Sequence, residues 1–163
     1  MKHIQSPNSR STLTNVEQKD IQPNAVDLRV DKFFRVVDSD FVISEDHKQH
    51  RGSIEIEPDM DGWFYLEEGH YEVVMQNIIN VGNGEAGWVI TRSTLNRNGL
   101  FLTSGLYDTG YNGVMAGMIH VTIGAARIKK GTRIGQYLNF EAESIKVYDG
   151  SYGLNKEHDK KYG

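Results

Sequence analysis

The segment between Arg92 and Gly99 carries side chains that suit a phosphate group. It begins with Arg92 and Ser93 and ends at Gly99, a pattern typical of a short helix with a hydroxyl near its start and a glycine past its end. The first N–H groups of a helix have no partner within it, so a guanidinium and a hydroxyl placed there can help to hold phosphate oxygens. An ordinary capped turn would contain the same residues.

Two other segments combine polar side chains with glycine turns. In Asp108–Gly113 a carboxylate begins a tight turn, and the turn brings Tyr111 back beside it. In Gly131–Gln136 a turn leads into a strand that carries the Gln136 amide near its start. Each segment alone could equally be an ordinary hairpin with a polar turn.

Several kinds of reactive site are excluded or disfavoured. The chain has no cysteine, which excludes disulfides, thiolate zinc sites and cysteine nucleophiles. Of its six histidines only His47 and His50 are close in sequence, and no third ligand lies near them. The chain also lacks a Walker loop, the glycine fingerprint of dinucleotide-binding folds and a nucleophile elbow.

The composition of the chain limits the kinds of partner that we expect it to bind. The net charge of -4 disfavours a general nucleic-acid coat, which needs a basic surface. No stretch approaches the about 20 apolar residues of a membrane span, and the N-terminus is too polar for a secretory signal. We therefore expect a cytoplasmic protein without nucleic-acid or membrane partners. The stretch 125–163 is basic, which suits either an anionic ligand or a solvated tail.

The elements that must position these segments are strands. Val26, Leu28 and Val30 alternate with charged residues, turn signals recur about every ten residues, and no segment keeps a helical period. This pattern predicts an all-β sandwich, jelly roll or barrel with a single domain at residues 21–148. Residues 1–20 are polar and predict a flexible or capping segment. Residues 149–163 contain one aliphatic side chain and predict a tail that is mobile without ligand.

Taken in order, the three segments resemble motifs of the dUTPase/dCTP deaminase family. Val26-Asp27-Leu28 matches the first motif of that family, and residues 92–97, 108–113 and 131–136 match the second, third and fourth. Gly150-Ser151-Tyr152-Gly153 matches the glycine-rich aromatic fifth motif. The resemblance covers residues 20–153. It implies a dUTPase-like β-barrel or jelly roll of the β-clip type, assembled as a homotrimer with active sites between subunits.

The resemblance also implies how a deoxynucleoside triphosphate is held. Arg92, Ser93 and Gln136 would bind phosphate oxygens, and Asp108 would orient and deprotonate the attacking water. Mg²⁺ would be held mainly by the triphosphate, with Asp27 acting on the metal through its water shell.

The sugar and base would meet other residues of the same motifs. Tyr111 would lie beneath the deoxyribose, and Tyr152 would close over the uracil ring. Thr94 and Arg97 would complete the substrate contacts, with Arg97 pairing with Asp108 or with a phosphate.

The family contains two chemistries. Arg97 and Gly110 follow the deaminase pattern, but deaminases need a glutamate ten residues after the third-motif aspartate, and this position is Met118. Methionine cannot transfer a proton, and His120 is the substitute that the sequence offers. We therefore predict a dUTP diphosphatase that forms dUMP and pyrophosphate and so keeps uracil out of DNA. The alternatives are a dCTP deaminase, bifunctional or not, and a catalytically silent binding module on the same scaffold.

Overall fold

The computed structural model describes residues 1–163 and is built almost entirely of strands. One short helix, α1, spans Ser93–Asn96, and single 3₁₀ turns occur at Gln18–Asp20 and His158–Tyr162. No helix is long and apolar enough to cross a membrane. The strands are Thr12–Leu13 (β1), Val26–Val36 (β2), Val42–Ile43 (β3), Lys48–Gln49 (β4), Ser53–Ile56 (β5), Trp63–Leu66 (β6), Gly69–Asn80 (β7), Glu85–Thr91 (β8), Leu100–Thr103 (β9), Asn112–Val121 (β10), Ala126–Lys129 (β11) and Arg133–Glu141 (β12).

The main sheet has eight strands, and every pair in it is antiparallel. Its order is β8-β12-β2-β7-β10-β9, with β1 beside β7 and β5 beside β2. Two small ribbons, β6-β11 and β3-β4, lie outside it. This architecture confirms the prediction of an all-β, barrel-like domain.

A single apolar core of 23 buried residues holds the strands together. The alternating residues Val26, Leu28 and Val30 of β2 are all fully buried, as their period of two predicts. Phe33 meets Phe64 edge to face, with 4.9 Å between ring centroids, which ties the β6-β11 ribbon to the main sheet.

The N-terminal segment packs against the sheet through a buried carboxylate. Glu85, at the start of β8, accepts hydrogen bonds from Ser11 Oγ at 2.6 Å, Asn139 Nδ2 at 3.0 Å and the Arg10 N–H at 3.0 Å. Burial alone would raise the pKa of Glu85, but these hydrogen bonds dominate and lower it to about 2. Ile4 lies in the apolar core, so residues 1–20 contribute to the domain that follows them.

The C-terminal tail, residues 149–163, lies against its own subunit. The Leu154 N–H donates to the Asn112 carbonyl at 2.8 Å, and the Gly153 N–H donates to Asp159 Oδ2 at 2.7 Å. Gly153 has φ +129°, and a Cβ on Gly113 would come within 2.7 Å of its Cα, so both positions favour glycine. The tail is therefore docked on β10, and its mobility without nucleotide in solution stays a prediction.

Candidate functional site

A buried carboxylate on β2 gathers side chains from two other predicted motifs. Strand register sets Asp27 opposite Gln136 of β12, and Gln136 Nε2 donates to Asp27 Oδ1 at 3.0 Å. Gln22 Nε2 donates to Asp27 Oδ2 at 3.0 Å, and Arg133 Nη1 donates to the same oxygen at 3.3 Å. Asp27 is fully buried, and each of its two carboxylate oxygens accepts a hydrogen bond from these partners.

Arg92 joins this cluster at the point where β8 leads into α1. Its Nε lies 3.4 Å from Asp27 Oδ2, and its Nη1 donates to the Arg133 carbonyl at 3.3 Å. About a third of the Arg92 and Arg133 side chains is exposed. Two guanidinium groups therefore lie side by side at the surface above a buried acid, which is an arrangement suited to phosphate oxygens.

The other residues of the second motif are exposed beside this cluster. Ser93 and Thr94 occupy the first turn of α1, and Arg97 follows its last residue. The helix is shorter than predicted: it ends at Asn96 with Arg97 as its C-cap, and Gly99, with φ +78°, lies in the turn that follows.

The third motif forms a tight turn that separates an exposed acid from a buried ring. Asp108 is exposed, whereas Tyr111 is buried and donates from its hydroxyl to the Val114 carbonyl at 2.7 Å. Gly110 has φ +87°, and its N–H donates to the carbonyl of Val81, the residue after β7, at 3.0 Å, which holds the turn beside the end of that strand. Burial raises the pKa of the Tyr111 phenol well above its ordinary value, so the ring stays neutral.

Two neighbouring cavities border this turn. A pocket of about 460 Å³ is lined by Tyr111, Met118 and Glu72, with Tyr152 and Tyr162 contributed by the tail. Asp108 lines an open groove of about 750 Å³ along residues 142–150. Leu106 and Tyr148 line both cavities, so the carboxylate and the tyrosine-lined pocket are adjacent.

Within one subunit the predicted residues fall into two groups. Arg92, Gln136 and Asp27 form the first group, and Asp108, Tyr111 and Tyr152 border the two adjacent cavities. No hydrogen bond or ion pair joins Asp108 to Asp27 or to the residues that hold it.

The position that deaminases fill with glutamate lies in the tyrosine-lined pocket. Met118 lines this pocket, and strand register sets Glu72 of β7 directly opposite it. His120 does not line the pocket: its Nδ1 is 2.8 Å from His70 Nδ1, and its Nε2 is 2.9 Å from Thr103 Oγ1. Both ring nitrogens are therefore engaged, and burial followed by the repulsion of His70 lowers the pKa of His120.

Sequence reasoning missed Glu72 and Arg133 as site residues. Arg133 lies inside the fourth motif but was not assigned a contact, and Glu72 lies outside every motif. The only signal for Glu72 is its register with Met118, which cannot be read before β7 and β10 are paired.

The side chains of the site do not by themselves provide a full set of ligands for a metal ion. No group of three or more histidine, aspartate or glutamate side chains is clustered in this way. Mg²⁺ commonly binds through one or two carboxylates, waters and substrate phosphates, and Asp108 is an exposed carboxylate of that kind. The residues therefore fit a metal ion that arrives with a triphosphate.

Comparisons with known proteins find relatives of the chain and of its fold. The chain is 34% identical over 137 residues to a probable deoxyuridine 5′-triphosphate nucleotidohydrolase of Methanococcoides burtonii, an alignment that covers 81% of this chain and 80% of the relative. The fold is similar to that of the EIAV dUTPase, with a TM-score of 0.55 at 16% identity over 90% of this chain and 97% of that one.

The fold is also similar to that of a deaminase. The 2′-deoxycytidine 5′-triphosphate deaminase of Agrobacterium tumefaciens aligns with a TM-score of 0.59 at 16% identity, over 80% of this chain and 43% of that one. The model of the dCTP deaminase-like family matches residues 2–142. The five motifs, the all-β fold and this match lead to one conclusion: the chain belongs to the dCTP deaminase-like family.

Proposed function

We propose that the protein is a dUTP diphosphatase, which hydrolyses dUTP to dUMP and pyrophosphate. The observation that carries the proposal is the tyrosine-lined pocket beside Asp108, where Met118 occupies the position of the deaminase glutamate. The two carboxylates of this pocket, Glu72 and Asp159, both accept hydrogen bonds from the tail. Neither is free to shuttle protons to a cytosine ring. The name of the M. burtonii relative supports the same activity.

Asp108 acts as the general base of the reaction. Its exposed carboxylate orients a water molecule and accepts a proton as the water oxygen attacks the α-phosphorus in line. The bond from the α-phosphorus to the bridging oxygen breaks, and pyrophosphate leaves with the bonding electrons.

The phosphate chain is held by the side chains around Asp27. Arg92 and Arg133 donate to phosphate oxygens from the surface of the cluster, and Gln136 and Ser93 complete the contacts. These residues and Asp108 form separate groups within one subunit, which supports a site completed between the subunits of a homotrimer.

The nucleoside occupies the tyrosine-lined pocket. Tyr111 is held rigidly by its hydrogen bond to Val114, so its ring leaves little room for a 2′-hydroxyl on the sugar. Tyr152 forms part of the opposite wall and closes over the base. Thr94 and Arg97 are exposed beside the phosphate-binding cluster and contact the substrate from there.

Bound Mg²⁺ would neutralise the charge of the triphosphate. Asp108 lines the open groove together with the carboxylates Glu143 and Asp149, and it is the one that lies in a predicted motif. Asp27 was predicted to act through the metal's water shell, but both of its oxygens are already engaged by Gln22, Gln136 and Arg133. The geometry therefore favours a role for Asp27 in positioning the phosphate-binding side chains.

dCTP deamination is a second candidate, favoured by the family that the chain belongs to and by Arg97 at the end of the second motif. It requires a proton shuttle at the base, and Met118 cannot supply one.

Hydrolysis in ¹⁸O-labelled water tests the proposal. Attack at the α-phosphorus places one ¹⁸O atom in dUMP and none in pyrophosphate, which mass spectrometry resolves. Label in pyrophosphate would show attack at the β-phosphorus, and the absence of dUMP would remove the proposed activity.

A further inference from the structure

Glu72 lies at the centre of the main sheet, and its carboxylate binds residues at the C-terminal end of the chain. On β7 it is paired with Phe34 of β2 on one side and with Met118 of β10 on the other. Its side chain is 12% exposed. A carboxylate this well buried needs charged or hydrogen-bonding partners, because leaving it unpaired would be costly.

Both partners come from the C-terminal tail. Lys161 Nζ donates to Glu72 Oε2 at 3.0 Å and to Ser53 Oγ at 3.3 Å. The hydroxyl of Tyr162 donates to Glu72 Oε1. Each oxygen of the acid is therefore engaged by one of two adjacent tail residues.

Aromatic packing adds to these polar contacts. The ring of Tyr162 lies 5.8 Å from that of Phe34, and Lys161 Nζ lies 5.7 Å from the Phe34 ring. Burial first, and then the bond to Glu72, raise the pKa of the Tyr162 phenol, so it remains a hydrogen-bond donor. We call the contact region formed by Phe34, Glu72, Lys161 and Tyr162 the tail anchor. It combines aromatic packing with directed polar contacts to a largely buried carboxylate.

The tail anchor sets the position of the tyrosine-lined pocket wall. Between it and the Leu154–Asn112 backbone bond, the tail carries Asp159 into the pocket that Met118 and Tyr111 also line. Tyr152 lies two residues before that bond; its N–H donates to the Tyr148 hydroxyl at 3.1 Å, and its ring packs edge to face on His158 with 5.0 Å between ring centroids. Two fixed points on the same subunit leave the segment between them few alternative paths.

We propose that Glu72 is a positioning residue that fastens the tail over the pocket of its own subunit through Lys161 and Tyr162. The fifth motif then acts in cis, and Glu72 influences turnover only through the placement of Tyr152. The kinetic part of this inference rests on the proposed dUTP diphosphatase activity. The contact itself does not.

Chemical cross-linking tests the contact without any activity. A carbodiimide joins a carboxylate to an amine within contact distance as an amide and takes up the elements of water. We expect a Glu72–Lys161 cross-link in the protein without nucleotide, detected by peptide mass spectrometry. It should be lost in Glu72→Gln and retained in Glu68→Gln, a matched change at an exposed neighbouring acid.

Isotope mixing decides between subunits. The protein is assembled from equal amounts of ¹⁵N-labelled and unlabelled chains, and native mass spectrometry verifies that mixed oligomers are present. We expect every Glu72–Lys161 cross-link to join either two labelled peptides or two unlabelled peptides. Peptides that join a labelled to an unlabelled chain would show a tail acting in trans and would overturn the proposal. Absence of any Glu72–Lys161 cross-link in the wild-type protein would also overturn it.

Kinetics then test the positioning role. Lys161→Met and Glu72→Gln should each lower kcat/KM for dUTP by about tenfold, since each removes one charged partner of the tail anchor. Lys156→Met, at an exposed tail lysine, should leave kcat/KM unchanged. Cleavage of the tail by trypsin should be faster in the first two variants only. If Lys161→Met and Glu72→Gln both show wild-type kinetics and wild-type rates of proteolysis, the inference is rejected. If the wild-type protein forms the cross-link but does not hydrolyse dUTP, only the proposed function is rejected.

Discussion

At the scale of single residues, the proposed reaction depends on the exposed Asp108 as general base. The account predicts that Asp108→Asn lowers kcat for dUTP by about 10²–10⁴-fold, because the amide cannot accept the proton of the attacking water. The dUTP dissociation constant, measured by calorimetry, should change little. Asp46→Asn, at another exposed acid, is the matched control. A near-native rate in Asp108→Asn would remove this residue from the base role.

At the same scale, we propose that Asp27 acts through the side chains that it holds. Asp27→Asn should raise KM for dUTP by about tenfold, because Arg92 and Gln136 lose the charged acceptor that orients them. The Mg²⁺ concentration that gives half-maximal rate should stay the same. A shift of that concentration with an unchanged KM would instead support the metal role that the family resemblance implies.

The sequence located most of these residues but could not show how they are held. Asp27, Arg92 and Gln136 were found through motif order, whereas their convergence depends on the register of β12 on β2. The role proposed for Glu72 could not be predicted from the sequence, because it depends on two strand pairings and on contact with a tail more than 80 residues away.

At the scale of elements, the buried Glu85 ties the N-terminal segment to β8 and β12. Glu85→Ala should lower the free energy of unfolding by about 3 kcal/mol, since Ser11 and Asn139 would lose a buried acceptor. Urea unfolding measures this, with Glu143→Gln as an exposed control.

The Glu85 carboxylate also makes the stability of the protein depend on pH. Its folded pKa of about 2 lies below the ordinary value of 4.5, so its contribution is complete above pH 4.5 and is lost as the pH falls towards 2. The stability difference between the wild-type protein and Glu85→Gln should therefore shrink over that interval. A difference that does not change with pH would contradict the assignment.

Element prediction succeeded where apolar residues alternate. The alternation predicted at Val26–Val30 lies within β2. β8 gave no such signal, because it begins with a buried acid followed by Ala86 and Gly87. A Cβ at Gly87 would overlap the Tyr137 hydroxyl, so close packing and not strand propensity sets this sequence.

At the scale of the whole molecule, we expect the tail to serve the site more than the fold. Deleting residues 149–163 should leave the oligomeric mass by light scattering unchanged and should lower the melting temperature only modestly, because the tail contributes one buried residue, Gly153, and the two partners of the largely buried Glu72. Turnover of dUTP should fall steeply. Full activity after deletion would show that the tail is a passive end. A monomeric mass in an active preparation would contradict the expected trimer.

We expect this deaminase-like chain to hydrolyse dUTP and not to deaminate dCTP. The most direct measurement incubates the purified protein with Mg²⁺ and each deoxynucleoside triphosphate in turn, and measures pyrophosphate and ammonia separately. The account predicts pyrophosphate from dUTP and no ammonia from dCTP, since Met118 stands where the proton shuttle is needed. Ammonia release from dCTP at a rate comparable to dUTP hydrolysis would contradict it.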